Sequence, residues 1–251
     1  MFFELPAPLQ KKLTKHVSEC SLKWHLIEEN DRILIGYSGG KDSLLLIHCL
    51  DHIQRVAPVH FHFAIFHLNA SDPDFPAREA LDMLARRGIE VHCEHINMAE
   101  ILAEKIKEGD SPCYLCSRLR RGILYTQATR LGFNKIALGH HRDDAIETLL
   151  MSALYAGQLK AMPARLTSDD GNHIIIRPLL YTPEEYLIEA AQYVDIPIVD
   201  QTFCHRGPDG QRAATKALLQ TLSAQNPKIK GNLMAALHNV IPSHLLDKKI
   251  Q

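Results

Sequence analysis

The segment from Arg32 to Leu50 constrains the fold most. Arg32-Ile33-Leu34-Ile35-Gly36-Tyr37 reads as a buried strand, and the apolar run Leu44-Leu45-Leu46-Ile47-His48-Cys49-Leu50 suits a helix. Between them lies Ser38-Gly39-Gly40-Lys41-Asp42-Ser43. Two glycines let the backbone turn sharply enough for successive N–H groups to converge on an anion. The helix that follows aims its positive dipole end at the same point. Lys41 adds a full charge, and Ser38 and Ser43 add hydroxyl donors. Asp42 is out of place in a bare phosphate cradle, but it fits if a divalent cation accompanies the phosphates. The spacing is not that of a Walker loop, since Asp42 rather than Ser or Thr follows the lysine.

The same strand–helix alternation continues along the chain. His60 to Leu68, Ile89 to Ile96, Lys135 to Leu138 and Ile174 to Ile176 read as strands. Pro76 to Arg87, Arg118 to Gly132, Asp144 to Tyr155 and Pro183 to Val194 read as helices. Such alternation specifies an α/β fold: a parallel twisted sheet with helices on both faces, whose ligands sit at the carboxyl ends of the strands. The expected organisation is a helical segment over residues 1–29, an α/β domain over 30–200, and a loop with helices over 201–251.

Six cysteines in a chain this long do not suggest a disulfide framework. No apolar run approaches the roughly 20 residues that cross a bilayer, and the N-terminal residues carry no basic region ahead of an apolar stretch. The expectation is a cytoplasmic protein with no membrane partner. A net charge of −1 argues against nucleic acid as a partner, although it can hide a local basic patch. Cys20, Cys49 and Cys93 have surroundings in which cysteine packs as a small hydrophobe.

Cys113-Tyr114-Leu115-Cys116 is different. It follows Pro112 in an expected loop that opens into a helix bearing Arg118, Arg120 and Arg121. Two thiols at this spacing can face one metal, and nearby positive charge favours thiolates. Spacing alone leaves three readings open: zinc, with Cys204 and a further ligand such as His205; a redox pair; or an iron–sulfur cluster on Cys113, Cys116 and Cys204 with one iron open.

Two segments carry a resemblance. Ser38–Ser43 resembles the pyrophosphate loop of the N-type ATP pyrophosphatases, with their adenine nucleotide alpha hydrolase-like fold. Ala137-Leu138-Gly139-His140-His141-Arg142-Asp143-Asp144-Ala145-Ile146-Glu147-Thr148 resembles that superfamily's second nucleotide motif. Over about residues 30–183 the chain is similar to the bacterial tRNA 2-thiocytidine synthetases. The run Cys113 to Tyr125 carries that likeness, with Met162-Pro163, Ser168-Asp169-Asp170-Gly171, Ile176-Arg177-Pro178-Leu179 and Asn239-Val240-Ile241-Pro242-Ser243-His244-Leu245.

The resemblance implies ATP over Ser38, Gly39, Gly40, Lys41, Asp42, Ser43, Gly139, His140, Asp143 and Asp144. Lys41 and Asp42 would be catalytic, with Mg²⁺ held by Asp42, Asp143 or Asp144, and Asp144 placed to cap a helix. It implies a [4Fe–4S] cluster on Cys113, Cys116 and Cys204. The activity implied is adenylation of the C2 oxygen of cytidine 32 in a tRNA anticodon loop, then its replacement by sulfur from a cysteine desulfurase or other donor. A homodimer is implied by the resemblance alone. Arg118, Arg120, Arg121, Lys105, Lys107, Lys160 and Arg165 are candidate contacts for RNA phosphates.

Two positions depart from the family pattern: Asn69 stands where the family has an aspartate after the second strand, and Gln201 where it has a further cysteine. The alternatives are a tRNA-modifying or amidating ligase of the same superfamily without sulfur transfer, and a zinc-stabilised nucleotide-binding module without turnover.

Overall fold

The computed structural model describes residues 3–70, 77–106, 112–199 and 210–246, with side chains except at 112–114. The chain forms two compact units: Met1–His141 with Pro163–Arg206, and Arg142–Met162 with Gly207–Gln251. Sequence boundaries at 29 and 200 follow the strand signal. Packing instead groups the helix after residue 141 with the C-terminal helices.

In the first unit, α1 (Ala7–Trp24) precedes β1 (Arg32–Gly36), α2 (Lys41–Val56), β2 (His62–Asn69), α3 (Arg78–Arg86), β3 (Val91–His95), α4 (Met98–Lys105), α5 (Pro112–Leu131) and β4 (Lys135–Ala137). The second unit contains α6 (Arg142–Ala156). The chain then returns to the first for β5 (Arg165–Thr167), β6 (Ile174–Ile176) and α7 (Glu184–Ala191). The second unit ends with α8 (Gln211–Gln225) and α9 (Ile229–Ala236), followed by a short 3₁₀ turn at Pro242–His244.

Six strands form one sheet in the order β3-β2-β1-β4-β6-β5, parallel except for β5. Strand order runs one way from β1 to β3 and the other way to β4 and β6. Right-handed crossovers then put α2 and α3 on one face and α5 on the other. Leu34, Ala64, Phe66, Ile136 and Ile175 point to the α5 face, where they pack with Ile123, Leu124, Tyr125 and Ala128. On the other side, α2 packs with α1 and α7. Leu9, Leu13, Val17, Cys20 and Leu22 recur at helical intervals in the first segment; the first four form the buried stripe of α1, whereas Leu22 is exposed.

Three local features differ from the sequence reading. Helix α4 lacks a strong apolar stripe, burying only Met98, but Asn97 caps it by accepting from the Glu100 N–H. Strand β5 is three exposed residues paired on one side only, too short and too wet for an apolar signal. Helix α5 starts at Pro112 rather than Arg118, so the Cys113–Cys116 pair lies in its first turn and not in a preceding loop. Proline is favoured at a helix start because its missing N–H has no intrahelical role there.

Candidate active site

The reversal of strand order between β1 and β4 leaves a crevice at their carboxyl ends, where an open α/β sheet takes its ligand. Ser38–Ser43 leaves β1 at that edge, and Leu138-Gly139-His140 leaves β4 beside it.

Glycine is required at two points of this crevice. Gly39 has a φ of +89°, in the left-handed region that strains any side chain. Its carbonyl accepts from the Val199 N–H at 2.9 Å, and a Cβ there would lie 3.0 Å from the Val199 side chain. Gly139 lies against the loop itself: a Cβ would fall 2.9 Å from the backbone nitrogen of Ser43 and 3.0 Å from the carbonyl carbon of Asp42. The two motifs therefore meet backbone to backbone.

Gly40 enters α2 in an extended conformation and provides no side-chain cap. The first N–H groups of α2 are thus left to bind an anion. Hydroxyls brace the turn from within. Ser43 Oγ donates to the Gly40 carbonyl at 3.0 Å and lies 3.1 Å from Ser38 Oγ, while the Gly40 N–H reaches Ser38 Oγ at 3.3 Å. Ser43 is buried, so its hydroxyl holds the loop. Lys41 Nζ bonds both oxygens of Asp42, at 2.8 and 3.1 Å, and lies 3.7 Å from Glu184 at the start of α7. Glu184 escapes a sequence reading because a glutamate in a helix's first turn is ordinary.

Tyr37, His67 and Asn69 lie on the sheet face away from α5, by alternation from Gly36, Phe66 and Leu68. His67 Nδ1 is 3.0 Å from the Tyr37 carbonyl, and burial holds its pKa below the ordinary value. Asn69, at the position of the family aspartate, is buried at the end of β2, and its carbonyl accepts from the Ile96 N–H.

His140 is half-buried and His141 buried. Helix α6 begins at Arg142, so Asp143 and Asp144 occupy its first turn rather than its cap. Both belong to the second unit and are ion-paired there. Asp143 meets Arg142 at 3.3 Å and also Lys230; Asp144 meets Arg212 at 3.0 Å, which reaches Glu147 as well. Among the described residues no three His, Cys, Asp or Glu side chains converge as a metal site.

Helix α5 is about 30 Å long and ends three residues before β4, at the amino edge of the sheet. Its first turn therefore stands beyond the carboxyl edge. Cys116 is half-buried there as a free thiol, one helical turn after position 113. The side chain of Cys113, and Cys204 altogether, lie outside the described residues. So do Lys107 and Gln201. Cys20 and Cys49 are buried as expected, and burial pushes each thiol up to about 12. Cys93 differs: it is exposed, because β3 is the edge of the sheet. Arg118, Arg120 and Arg121 are exposed along α5, as are Lys105, Lys160 and Arg165 elsewhere. Among the described residues no helix is long and apolar enough to cross a membrane.

Known proteins match this arrangement. The family model of the PP-loop domain covers residues 6–202. A tRNA-cytidine(32) 2-sulfurtransferase of Anaeromyxobacter dehalogenans (strain 2CP-C) is 43% identical over 242 residues, 96% of this chain and 83% of the relative. The enzyme of the same name from Tolumonas auensis is 42% identical, with 96% and 80% covered. In fold, the chain matches a U34-tRNA thiolase of Methanococcus maripaludis, solved with its [4Fe–4S] cluster, with a TM-score of 0.71 at 20% identity over 93% of this chain and 80% of that one. With its crevice, its two glycine-dependent motifs and its near full-length matches, the chain belongs to the family of PP-loop tRNA-cytidine(32) 2-sulfurtransferases.

Proposed function

We propose that this chain thiolates cytidine 32 of a tRNA in two half-reactions at the carboxyl edge of its sheet. The observation that carries this reading is the backbone contact of Gly139 with Ser43, which joins both nucleotide motifs into one cradle on the unit that also bears Cys116.

ATP fits the cradle. The uncapped N–H groups of α2 and the charge of Lys41 suit the β- and γ-phosphates, and Gly39 and Gly139 keep side chains out of their way. Lys41 must leave Asp42 and Glu184 to reach them. The C2 oxygen of cytidine then attacks the α-phosphorus and pyrophosphate departs, with Lys41 and the loop N–H groups stabilising the charge that develops. Asp42, Asp143 or Asp144 would hold Mg²⁺, a hard cation that takes oxygen ligands.

The thiol at 116 and the cysteine one turn before it suit a soft metal centre, with Cys204 as third ligand. The archaeal thiolase of the same fold carries a [4Fe–4S] cluster, which supports that choice over zinc. When bound, the cluster would supply the sulfur-transfer chemistry, and Cys113, Cys116 and Cys204 would hold it. Sulfur enters at the sulfide level, either as sulfide or from a cysteine desulfurase persulfide together with a two-electron thiol reductant; it bonds to C2, and AMP leaves with the original C2 oxygen. An anticodon loop presents an unstacked base of the kind this crevice can receive.

The test is nucleoside mass spectrometry of a tRNA transcript after anaerobic incubation with the reconstituted chain, ATP, Mg²⁺ and sulfide. Sulfur-for-oxygen exchange at cytidine 32 is expected. Pyrophosphate release with an unchanged nucleoside would exclude sulfur transfer.

A further inference from the structure

Arg177 directly follows β6, on the carboxyl edge that holds the crevice. The Leu138 N–H donates to the Ile176 carbonyl at 3.0 Å, so Arg177 stands next to the strand end that leads into Gly139. Ile175 faces α5, and alternation sends Arg177 to the same side.

Its guanidinium is poorly matched there. One nitrogen, Nη1, donates to the Pro163 carbonyl at 2.7 Å, and Nε is buried without a hydrogen-bond partner. Among the described residues no carboxylate pairs with it. Burial holds its pKa below arginine's ordinary value, yet guanidinium stays charged in proteins. Arg177 as a whole is half-buried, and its unpartnered Nε leaves a hydrogen bond for an incoming anion to complete. Tyr125, on α5, lies within electrostatic reach of Arg177 and of Arg121, one helical turn earlier, and also of Asp169 and Asp170. Arg121 pairs with Asp169 at 3.6 Å, an exposed pair that an incoming anion can displace.

We propose that Arg177, Tyr125 and Arg121 form a subsite for one backbone phosphate of the bound RNA. This rests on the thiolation reading. The face decides the source of the phosphate: the phosphate loop opens into α2, on the opposite side of the sheet, whereas Arg177 faces α5, the helix that carries Cys116. Two strand spacings, about 10 Å, separate the end of β1 from that of β6. This span suits a phosphate flanking the target nucleotide. The planar fork of arginine matches phosphate in a way that a lysine does not.

The experiment measures the dissociation constant of the full chain for an unmodified tRNA transcript against KCl concentration. Wild type is compared with Arg177→Gln, Arg177→Lys and Arg121→Gln, and KM for ATP is read in parallel. Loss of one phosphate contact on a single-stranded loop should make the log–log salt slope shallower by about 0.7 in Arg177→Gln. Arg177→Lys should keep the slope and weaken binding, and KM for ATP should stay at the wild-type value. A slope equal to wild type in folded Arg177→Gln, or a rise in KM for ATP alone, overturns the subsite. Should Arg177→Gln not fold, Arg121→Gln decides by the same slope. If wild type binds no tRNA, the thiolation reading fails first and the subsite with it.

Discussion

Two cations mark opposite edges of one sheet, and they are treated differently. Lys135, at the amino end of β4, is almost wholly buried, yet its ammonium meets Asp31 at 2.7 Å, Glu28 at 2.8 Å and the Leu26 carbonyl at 3.1 Å. Asp31 in turn accepts from the Glu28 N–H and the Asn134 amide. Hydrogen bonding to Lys135 holds the Glu28 carboxyl below its ordinary value. The buried charges of Lys135 and Asp31 answer one another there. At the carboxyl edge Arg177 has one carbonyl, and the first N–H groups of α2 have no side-chain cap. One edge pairs its buried charges, and at the other we propose that a ligand supplies the missing partners.

The contrast breaks most visibly at Lys135. Lys135→Met leaves Asp31 buried beside no cation and should cost about 3–5 kcal/mol, a fall in Tm of roughly 10 °C. Calorimetry checks this, and kcat at low temperature should be preserved. At the open edge the reverse holds. Gly139→Ala forces a side chain onto the Asp42–Ser43 backbone, and Lys41→Ala removes the charge that meets the phosphates. Each should lower tRNA-dependent pyrophosphate release by about 10²–10³-fold, the usual effect of losing a group that stabilises transition-state charge, and Lys41→Ala should leave Tm within a few degrees of wild type.

His48, midway along α2, adds a buried titratable group to the comparison. Buried in α2, it accepts from the Phe3 N–H and lies 2.7 Å from Gln10, and burial lowers its pKa from 6.5 to about 4. The unfolded chain therefore takes up a proton that the folded chain refuses. The neutral form's contribution is fully present above pH 6.5 and is lost as pH falls toward 4, by roughly 3 kcal/mol. Urea midpoints across that window should fall less steeply in His48→Gln. The smallest effect belongs to Glu184. Relieving its hold on Lys41 in Glu184→Gln should change KM for ATP by less than about tenfold, since one partly exposed ion pair is worth about a kcal/mol. A fall is expected, and steady-state kinetics reads it.

The closed edge and the open one also differ in how far the sequence discloses them. Leu9, Leu13, Val17 and Cys20 declare α1 by spacing, and the apolar runs declare β1, β2 and β4, because burial acts residue by residue. Ser38–Ser43 is legible for a similar reason: a strand, two glycines and a helix leave few conformations. By contrast Glu184 and Val199 reach the crevice through tertiary packing, which no local pattern encodes. Pro112 misleads as a helix breaker when it is a helix starter, and the exposed β5 carries no periodicity. Asp143 and Asp144 were readable as a carboxylate pair, but their partners Arg212 and Lys230 lie in distant sequence. Spacing offers Cys204 as a ligand but leaves zinc and a cluster open, and the choice of a cluster comes from family resemblance.

The most direct measurement of the central claim counts products. Under anaerobic conditions, with the cluster reconstituted, the chain should form one 2-thiocytidine at position 32 for each AMP released. Cys116→Ser should stop thiolation while pyrophosphate release continues. Thiolation that persists in Cys116→Ser, or thiolation that proceeds without ATP cleavage, would contradict the pairing of nucleotide and sulfur chemistry on one edge of the sheet.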